Sequence, residues 1–331
     1  MQLKFHNNYD ALRTAVIGNV YDDLFFSAVA DSKLRDSLTR ILRETREDLV
    51  NFKSTLQGLG VTVLQPAVDP ELSINDYAVN GNVNKAISGS NNLIPRPPLQ
   101  VRDSFFVLGD TLYQTRYDGI FIQKFLSDYF GKDGELDFKH PFDAPAITIL
   151  NEKIFVDVVN TPGLDNTLRG MFANKTVIPV EVGGHTDAVF SIIKPGVLIT
   201  TEDPALYKET FPGWDVLSLP NQSWKAVAEF RKIKNQNGGK WWAPEIQQNV
   251  EMSNFVETWL SEWYGFAEET VFDVNCLVVS QELVIVNGYN KEMHEFFKKH
   301  NIEYIIVPFR HRFFWDGGLH CITNDIERSS S

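Results

Sequence analysis

The feature that most constrains this chain is a pattern that occurs four times: a short apolar run, a two-residue turn and a second apolar run. It reads Phe105-Phe106-Val107-Leu108-Gly109-Asp110-Thr111-Leu112-Tyr113, and returns over Ala146 to Val156, Val189 to Ile199 and Cys276 to Val286. Gly-Asp, Asn-Glu, Pro-Gly and Ser-Gln stand at the turns, so each copy predicts a β-hairpin. The first three turns fall about 42 residues apart, and the fourth follows after roughly twice that interval, which marks an insertion in a repeat. Between them lie helical or strand-like segments. The clearest is Lys291 to His300, with Met293, Phe296 and Phe297 on one face, and then the strand Glu303 to Val307. The predicted unit is hairpin, helix, strand.

The N-terminal region supplies a partial copy. Asp10 to Asn19 predicts a strand closed by Gly18, Ser37 to Leu59 a helix with Leu38, Leu42, Leu49, Phe52 and Leu56 on its apolar face, and Val61 to Leu64 the next strand. If the final strand of the chain completes this unit, there are about five units, and a radial arrangement hides most sheet edges as a propeller does. A stacked solenoid is the alternative, although solenoid repeats are shorter and more alike. Asp69 to Pro98, rich in Asn, Gly, Ser and Pro, predicts a long surface loop. The insertion, about Pro220 to Glu269, carries five of the seven tryptophans (Trp224, Trp241, Trp242, Trp259 and Trp263) around a flexible turn at Lys234 to Lys240. It reads as a helical hairpin with an aromatic core, or as a lid or oligomer contact.

Composition removes several classes of function. A formal charge of −12 argues against a nucleic-acid partner, whose phosphates call for basic faces. No apolar run reaches the roughly 18–20 residues that span a bilayer, so no membrane partner is expected. Met1 to His6 has the character of neither a secretory signal nor a transit peptide. Two cysteines, Cys276 and Cys321, are too few for a disulfide framework or a Cys-rich zinc site, which points to the cytoplasm. Cys276, inside Val274-Asn275-Cys276-Leu277-Val278-Val279, reads as core.

The chemistry-bearing residues stand just ahead of the hairpins. Arg102-Asp103 precedes the first, Phe142-Asp143-Ala144 the second, and Gly183-Gly184-His185-Thr186-Asp187 the third; Gly317-Gly318-Leu319-His320-Cys321 precedes the last strand. Equivalent positions in a radial repeat point at one axis, where carboxylates, an imidazole and a thiol would converge. An isolated Asp before a strand is ordinarily a turn former, but His-x-Asp alternation on a strand would put His185 and Asp187 on one face. Gly317 and Gly318 allow close backbone approach or positive φ just before the sulfur. A buried structural cysteine is the alternative for Cys321. One thiolate with scattered carboxylates is untypical of structural zinc, and no metal is expected. The set fits covalent catalysis on a planar cation better. Carboxylates grip a guanidinium in bidentate fashion while a thiolate, favoured by nearby positive charge, attacks its carbon and an imidazole moves the proton.

These segments resemble the arginine:amine amidinotransferases, close to glycine amidinotransferase, of the guanidino-group-modifying pentein superfamily. Asn8-Tyr9-Asp10-Ala11-Leu12 with Val16-Ile17-Gly18 is similar to the family's opening strand, and Val101 to Asp110 to its Pro-Arg-Asp segment. Phe142-Asp143-Ala144 resembles its Phe-Asp-Ala, His185-Thr186-Asp187-Ala188-Val189-Phe190 its His-x-Asp-Ala-x-Phe, and Gly317 to Thr323 its Gly-Gly-Phe-His-Cys-x-Thr. The resemblance implies a five-bladed pseudo-symmetric α/β propeller over residues 1–331, in a single domain with the aromatic-rich insertion. It implies Cys321 as nucleophile, His185 as general acid and base, Asp143 as the residue that orients His185, and Asp103 and Asp187 as holders of the guanidinium, with Asn275 also matching. No cofactor is implied. The partners are a small guanidino donor, L-arginine first, and an amine acceptor such as glycine; a homo-oligomer is compatible. In deiminases and dihydrolases of the superfamily water is the acceptor, and an inactive pentein serving as a binding protein is a further alternative.

Two departures stand out. Thr201-Glu202-Asp203-Pro204 places Pro204 where glycine amidinotransferases carry an Arg for the substrate carboxylate, and Glu268 and Glu269 replace a Ser-Ser pair. Arg169, Arg310 and Arg312 are candidates to replace that Arg.

Overall fold

The computed structural model describes residues 3–79, 82–83, 94–115, 119–130, 142, 144–159, 161–181, 185–201, 207, 209–219, 250–260, 263, 273–315 and 317–329. Its architecture among the described residues is five small sheets, each built on an antiparallel pair, with one further two-stranded sheet of two residues per strand. Strand β1 (Ala11–Ile17) runs antiparallel to the last strand and parallel to β2 (Thr62–Leu64). After the short pair β3 (Ala78–Val79) and β4 (Asn82–Val83) come the hairpins β5 (Phe105–Leu108) with β6 (Thr111–Gln114) and β7 (Ile147–Leu150) with β8 (Lys153–Asp157). The latter hairpin is extended in parallel by β9 (Thr176–Val180). The same order holds for β10 (Phe190–Lys194), β11 (Val197–Thr200) and β12 (Asp215–Ser218), and for β13 (Leu277–Ser280), β14 (Leu283–Val286) and β15 (Glu303–Ile306). Strand β16 (Thr323–Ser329) then lies beside β1, paired from Ile17 opposite Thr323 to Ala11 opposite Ser329 with an irregularity around Thr14.

That last pairing makes the object radial. The first unit is finished by the end of the chain, so the five sheets form a ring and the solenoid alternative falls. The parallel step needs a crossover connection, and a helix supplies it: Ser32–Gly58 between β1 and β2, Leu164–Met171 between β8 and β9, and Lys291–Lys299 between β14 and β15. The first of these begins five residues before the expected Ser37. Asp31 caps it by accepting the Leu34 N–H at 2.8 Å, and Leu34 joins the buried stripe of Leu38, Ile41, Leu42, Leu49, Phe52 and Leu56.

Three of the four predicted turns fall where expected. In the β10–β11 turn Gly196 sits at φ 83°, a conformation Gly adopts without Cβ strain. The fourth is shifted by one residue: Ser280 closes β13 and the turn is Gln281–Glu282, with the Ser280 hydroxyl accepting the Glu282 N–H.

The long Asn- and Gly-rich stretch is not all surface loop. Ile74, Tyr77 and Ile94 are buried in the core beside Tyr21, Phe25 and Phe26. Trp263 of the insertion lies in that cluster, stacked on Trp315 with ring centroids 5.7 Å apart, and its Nε1–H donates to the Ile94 carbonyl at 3.0 Å. Met252 and Val256 of the helix Val250–Trp259 pack there too. One face of the described part of the insertion is therefore core, because apolar rings with one satisfied N–H gain most from full burial. Trp224, Trp241 and Trp242 lie outside the described residues. No helix among the described residues is long and apolar enough to cross a membrane.

Candidate functional site

The site begins where the units begin. Three of the hairpins and the last strand are entered through tight turns: Val101–Asp103 before β5, Ala144–Ala146 before β7, Thr186–Val189 before β10, and the turn over residues 319–322 before β16. This corrects the expectation that His185 and Asp187 alternate on a strand. His185 is the N-cap of a one-turn helix, and the Ala188 N–H returns to its carbonyl at 3.1 Å. Residues two apart on a helix do not share a face. The imidazole that Asp187 accepts from, at 2.6 Å, is Nδ1 of His320. His185 is nonetheless buried and near enough for its charge to act on Asp187.

Cys321 lies at the centre, a buried free thiol. Asn275, from the segment entering β13, organises it. Its Oδ1 accepts the N–H groups of His320 at 3.0 Å and Cys321 at 3.1 Å, while its Nδ2 donates to Cys321 Sγ at 3.1 Å and to Asp187 Oδ2 at 3.3 Å. Asp187 Oδ2 is 3.7 Å from the sulfur, and Oδ1 of the same carboxylate is buried with no hydrogen-bond partner among the described residues. Asp103 ends the turn ahead of β5, and Arg96 Nη2 contacts its Oδ2 at 2.7 Å. Of the residues singled out in the sequence, the structure thus brings Cys321, Asp187 and Asn275 together, with His185 and Asp103 close by. Asp143 lies outside the described residues.

The electrostatics follow from burial and neighbours. Burial pushes the Cys321 thiol well above its ordinary value, and the charges of Asp187 and Asp103 push it further, against the Gly318 backbone and Asn275 hydrogen bonds. Asp187 goes the other way. Burial opposes its ionisation, but the His320 hydrogen bond and the charges of His320, His185 and Arg102 outweigh it and hold the carboxyl at about 2. His320 is itself pushed toward neutrality by burial and by the Arg102 cation. The pair is best described as an ionised carboxylate accepting Nδ1–H from a neutral imidazole.

Gly317 and Gly318 serve close approach rather than positive φ, since neither adopts a left-handed backbone. A Cβ on Gly318 would stand 2.6 Å from Asn275 Oδ1 and 3.0 Å from Asn275 Cβ. Gly318→Ala is therefore expected to move Asn275 off the sulfur. It should lower turnover by about 100-fold, within the range for removal of one preorganised donor, while the urea midpoint moves little. Parallel kinetics and denaturation test this; unchanged turnover would remove Asn275 from the site.

Four residues were not singled out beforehand. His320 was visible beside Cys321 but was read only as a neighbour. Arg102 donates Nε–H to the His320 carbonyl at 2.9 Å and meets Asp325 at 3.3 Å. Asp325 lies two residues after Thr323 on β16, where Thr323 to Ile326 are all buried. Arg96 had none, since only the folded loop brings it to Asp103. The three arginines named as replacements for the carboxylate clamp sit elsewhere. Arg169 pairs with Asp165, Arg310 pairs with Asp48 and Glu47 on the first helix, and Arg312 faces the charge of Asp273. Cys276 is core as expected, its thiol pushed up to about 12 by burial. Pro204, Glu268 and Glu269 lie outside the described residues. Among the described residues no group of three His, Cys, Asp or Glu is placed to hold a metal ion.

A ring of five sheets closed by the last strand, entered through turns that carry a thiol, imidazoles and carboxylates, defines the pentein class of α/β propeller. No protein-family model matches the chain. Its fold is shared over 99% of its length with 97% of the inosamine-phosphate amidinotransferase of Streptomyces griseus, at a TM-score of 0.65 and 16% identity. A dimethylarginine dimethylaminohydrolase has it too, at a TM-score of 0.55 and 12% identity over 95% of this chain and 99% of that one. The chain thus has the pentein fold, and the curated proteins that its sequence resembles are amidinotransferases. The mitochondrial glycine amidinotransferase of Xenopus laevis is 28% identical over 209 residues, 60% of this chain but 41% of that protein. The match thus spans less than half the length of that relative.

Proposed function

We propose that this protein is an amidinotransferase, moving the amidino group of a guanidino donor to an amine through a covalent amidino-cysteine on Cys321. L-arginine is the donor to test first, with ornithine and a new guanidino compound as products. The observation that carries the reading is the buried Asp187 carboxylate beside Cys321 Sγ, with one oxygen unpartnered. A guanidinium N–H satisfies that oxygen, and its positive charge offsets the two carboxylates that keep the thiol protonated. Cys321 then passes its proton to His185 and attacks the guanidinium carbon. The bond from that carbon to the donor nitrogen breaks, and His185 delivers a proton to the departing amine. In the second half, His185 takes a proton from the acceptor amine, the amine attacks the thiouronium carbon, and the carbon–sulfur bond breaks to return the thiolate. Asp103 and Asp187 hold the guanidinium, Asn275 orients the sulfur, and Asp143 is assigned to orient His185.

Transfer is preferred because the sequence relatives are amidinotransferases. Hydrolysis is the second reading, since hydrolases share the fold and only the acceptor differs. A product assay on L-arginine, with and without a panel of amines including glycine, decides between them. Ornithine plus a new guanidino compound, formed only with amine, is the expected result. Citrulline or ammonia formed without amine would replace transfer by hydrolysis.

A further inference from the structure

We infer that His320 is a positioning residue: as a neutral ring it fixes the plane of the Asp187 carboxylate and leaves that carboxylate's charge for a cationic ligand. This rests on the assignment of Asp187 to guanidinium binding. The side-chain contacts of the carboxylate all fall on one oxygen. Oδ2 accepts from His320 Nδ1 at 2.6 Å and from Asn275 Nδ2 at 3.3 Å, and it lies 3.7 Å from Cys321 Sγ. Oδ1 is buried with no hydrogen bond among the described residues. The bond from His320 is the short one, so it sets the rotation of the carboxylate and with it the place of Oδ1.

The ring is itself held from several units. The His320 N–H donates to Asn275 Oδ1 at 3.0 Å, ahead of β13. Its carbonyl accepts from Arg102 Nε at 2.9 Å, in the turn before β5, and from the Thr323 N–H at 3.0 Å, at the start of β16. Asp187 arrives from the one-turn helix before β10. The charged groups acting on the ring are Arg102, Asp187 and Asp325, and burial with the Arg102 cation outweighs the two carboxylates, which keeps the ring neutral. An ionised carboxylate only accepts, so Nδ1 carries the single ring proton. A cation in this place would neutralise Asp187 before a ligand arrived, whereas a side chain without that N–H would leave the carboxylate free to turn.

Two measurements test this. In nitrogen NMR of the ligand-free full chain at pH 8, the His320 ring, identified by the loss of its signals in His320→Asn, should carry one proton, on Nδ1. A proton on Nε2 alone, or on both nitrogens, overturns the inference. In the product assay on L-arginine with amine, His320→Ala and His320→Gln should lower kcat/KM by about 100-fold, the scale of a misplaced group at the reacting centre. The amide nitrogen of His320→Asn stands near the place of Nδ1, so that variant should stay within about tenfold of the native protein. Gln fills the space of the ring better than Asn does. Gln equal to or better than Asn, or native turnover in all three variants, would make the ring a filler of space and overturn its positioning role. If the native protein turns over no guanidino compound, the assignment of Asp187 to guanidinium fails instead, and the ring proton still decides whether His320 holds that carboxylate. Should His320→Ala not fold, the Asn and Gln variants read the same difference.

Discussion

Cys321→Ala is expected to abolish amidino transfer, with a loss of about 10^4-fold or more, since removal of a covalent nucleophile leaves only binding and polarisation. A residual rate within tenfold of the native protein would show that no covalent intermediate forms on this sulfur. The same residue carries a pH signature. Burial and then the Asp187 and Asp103 charges raise its thiol well above the ordinary value, so the empty site holds the protonated form at neutral pH. Alkylation of the ligand-free protein should therefore rise about tenfold per pH unit through pH 9 without levelling, because only the thiolate reacts. A plateau below pH 8 would mean that a thiolate is already paired with an imidazolium before substrate arrives. Cys276, also buried and pushed up to about 12, is a second thiol in this assay, and peptide mapping separates the two.

The second large effect concerns stability. Asp325 lies between Arg102 and Arg328 at 3.3 Å from each; Asp325 and Arg328 are buried, and the Arg102 side chain is 12% exposed. Arg328 also donates to the carbonyls of Asp10 and Val278, at 2.6 and 2.7 Å, which ties the closing strand to its neighbours. Asp325→Ala leaves two guanidinium groups in the interior without their shared anion and should cost about 3–5 kcal/mol. A fall in the urea midpoint measures it, and a change under about 1 kcal/mol would make the cluster incidental. The acid side follows from the same carboxyl. Burial opposes its charge, but Arg328 and Arg102 outweigh burial and hold it at about 2, below the ordinary carboxylate value. Its contribution is therefore complete above about pH 4 and disappears as the pH falls through 2, an effect of roughly 2–3 kcal/mol. Asp187, also held at about 2, acts in the same window.

Much of this protein was legible in its residues. Hairpins announce themselves locally, because two short apolar runs and a turn are decided within about ten residues. The five-unit count, the completing role of the last strand and the convergence of Cys321 and Asp187 follow from repetition of that local signal, whereas Asn275 was picked out only by the family resemblance. Where the residues misled, the local conformation between signals was at fault. His185 and Asp187 read as strand because their spacing is two, whereas the chain turns helically there to enter β10.

The pairings were another matter. Asp187 takes His320 rather than a neighbour on its own segment, and Arg96 reaches Asp103 from a loop read as surface. Trp263 crosses from the insertion to stack on Trp315. Each joins groups from different units, whose distance depends on ring closure and on which apolar side chains fill the centre. The sequence by itself determined the units and their number and marked out the candidate site residues, since these are properties of short segments. Only the tertiary structure decided which charge meets which, because a buried ion pair depends on where separate segments arrive together and on the water they exclude.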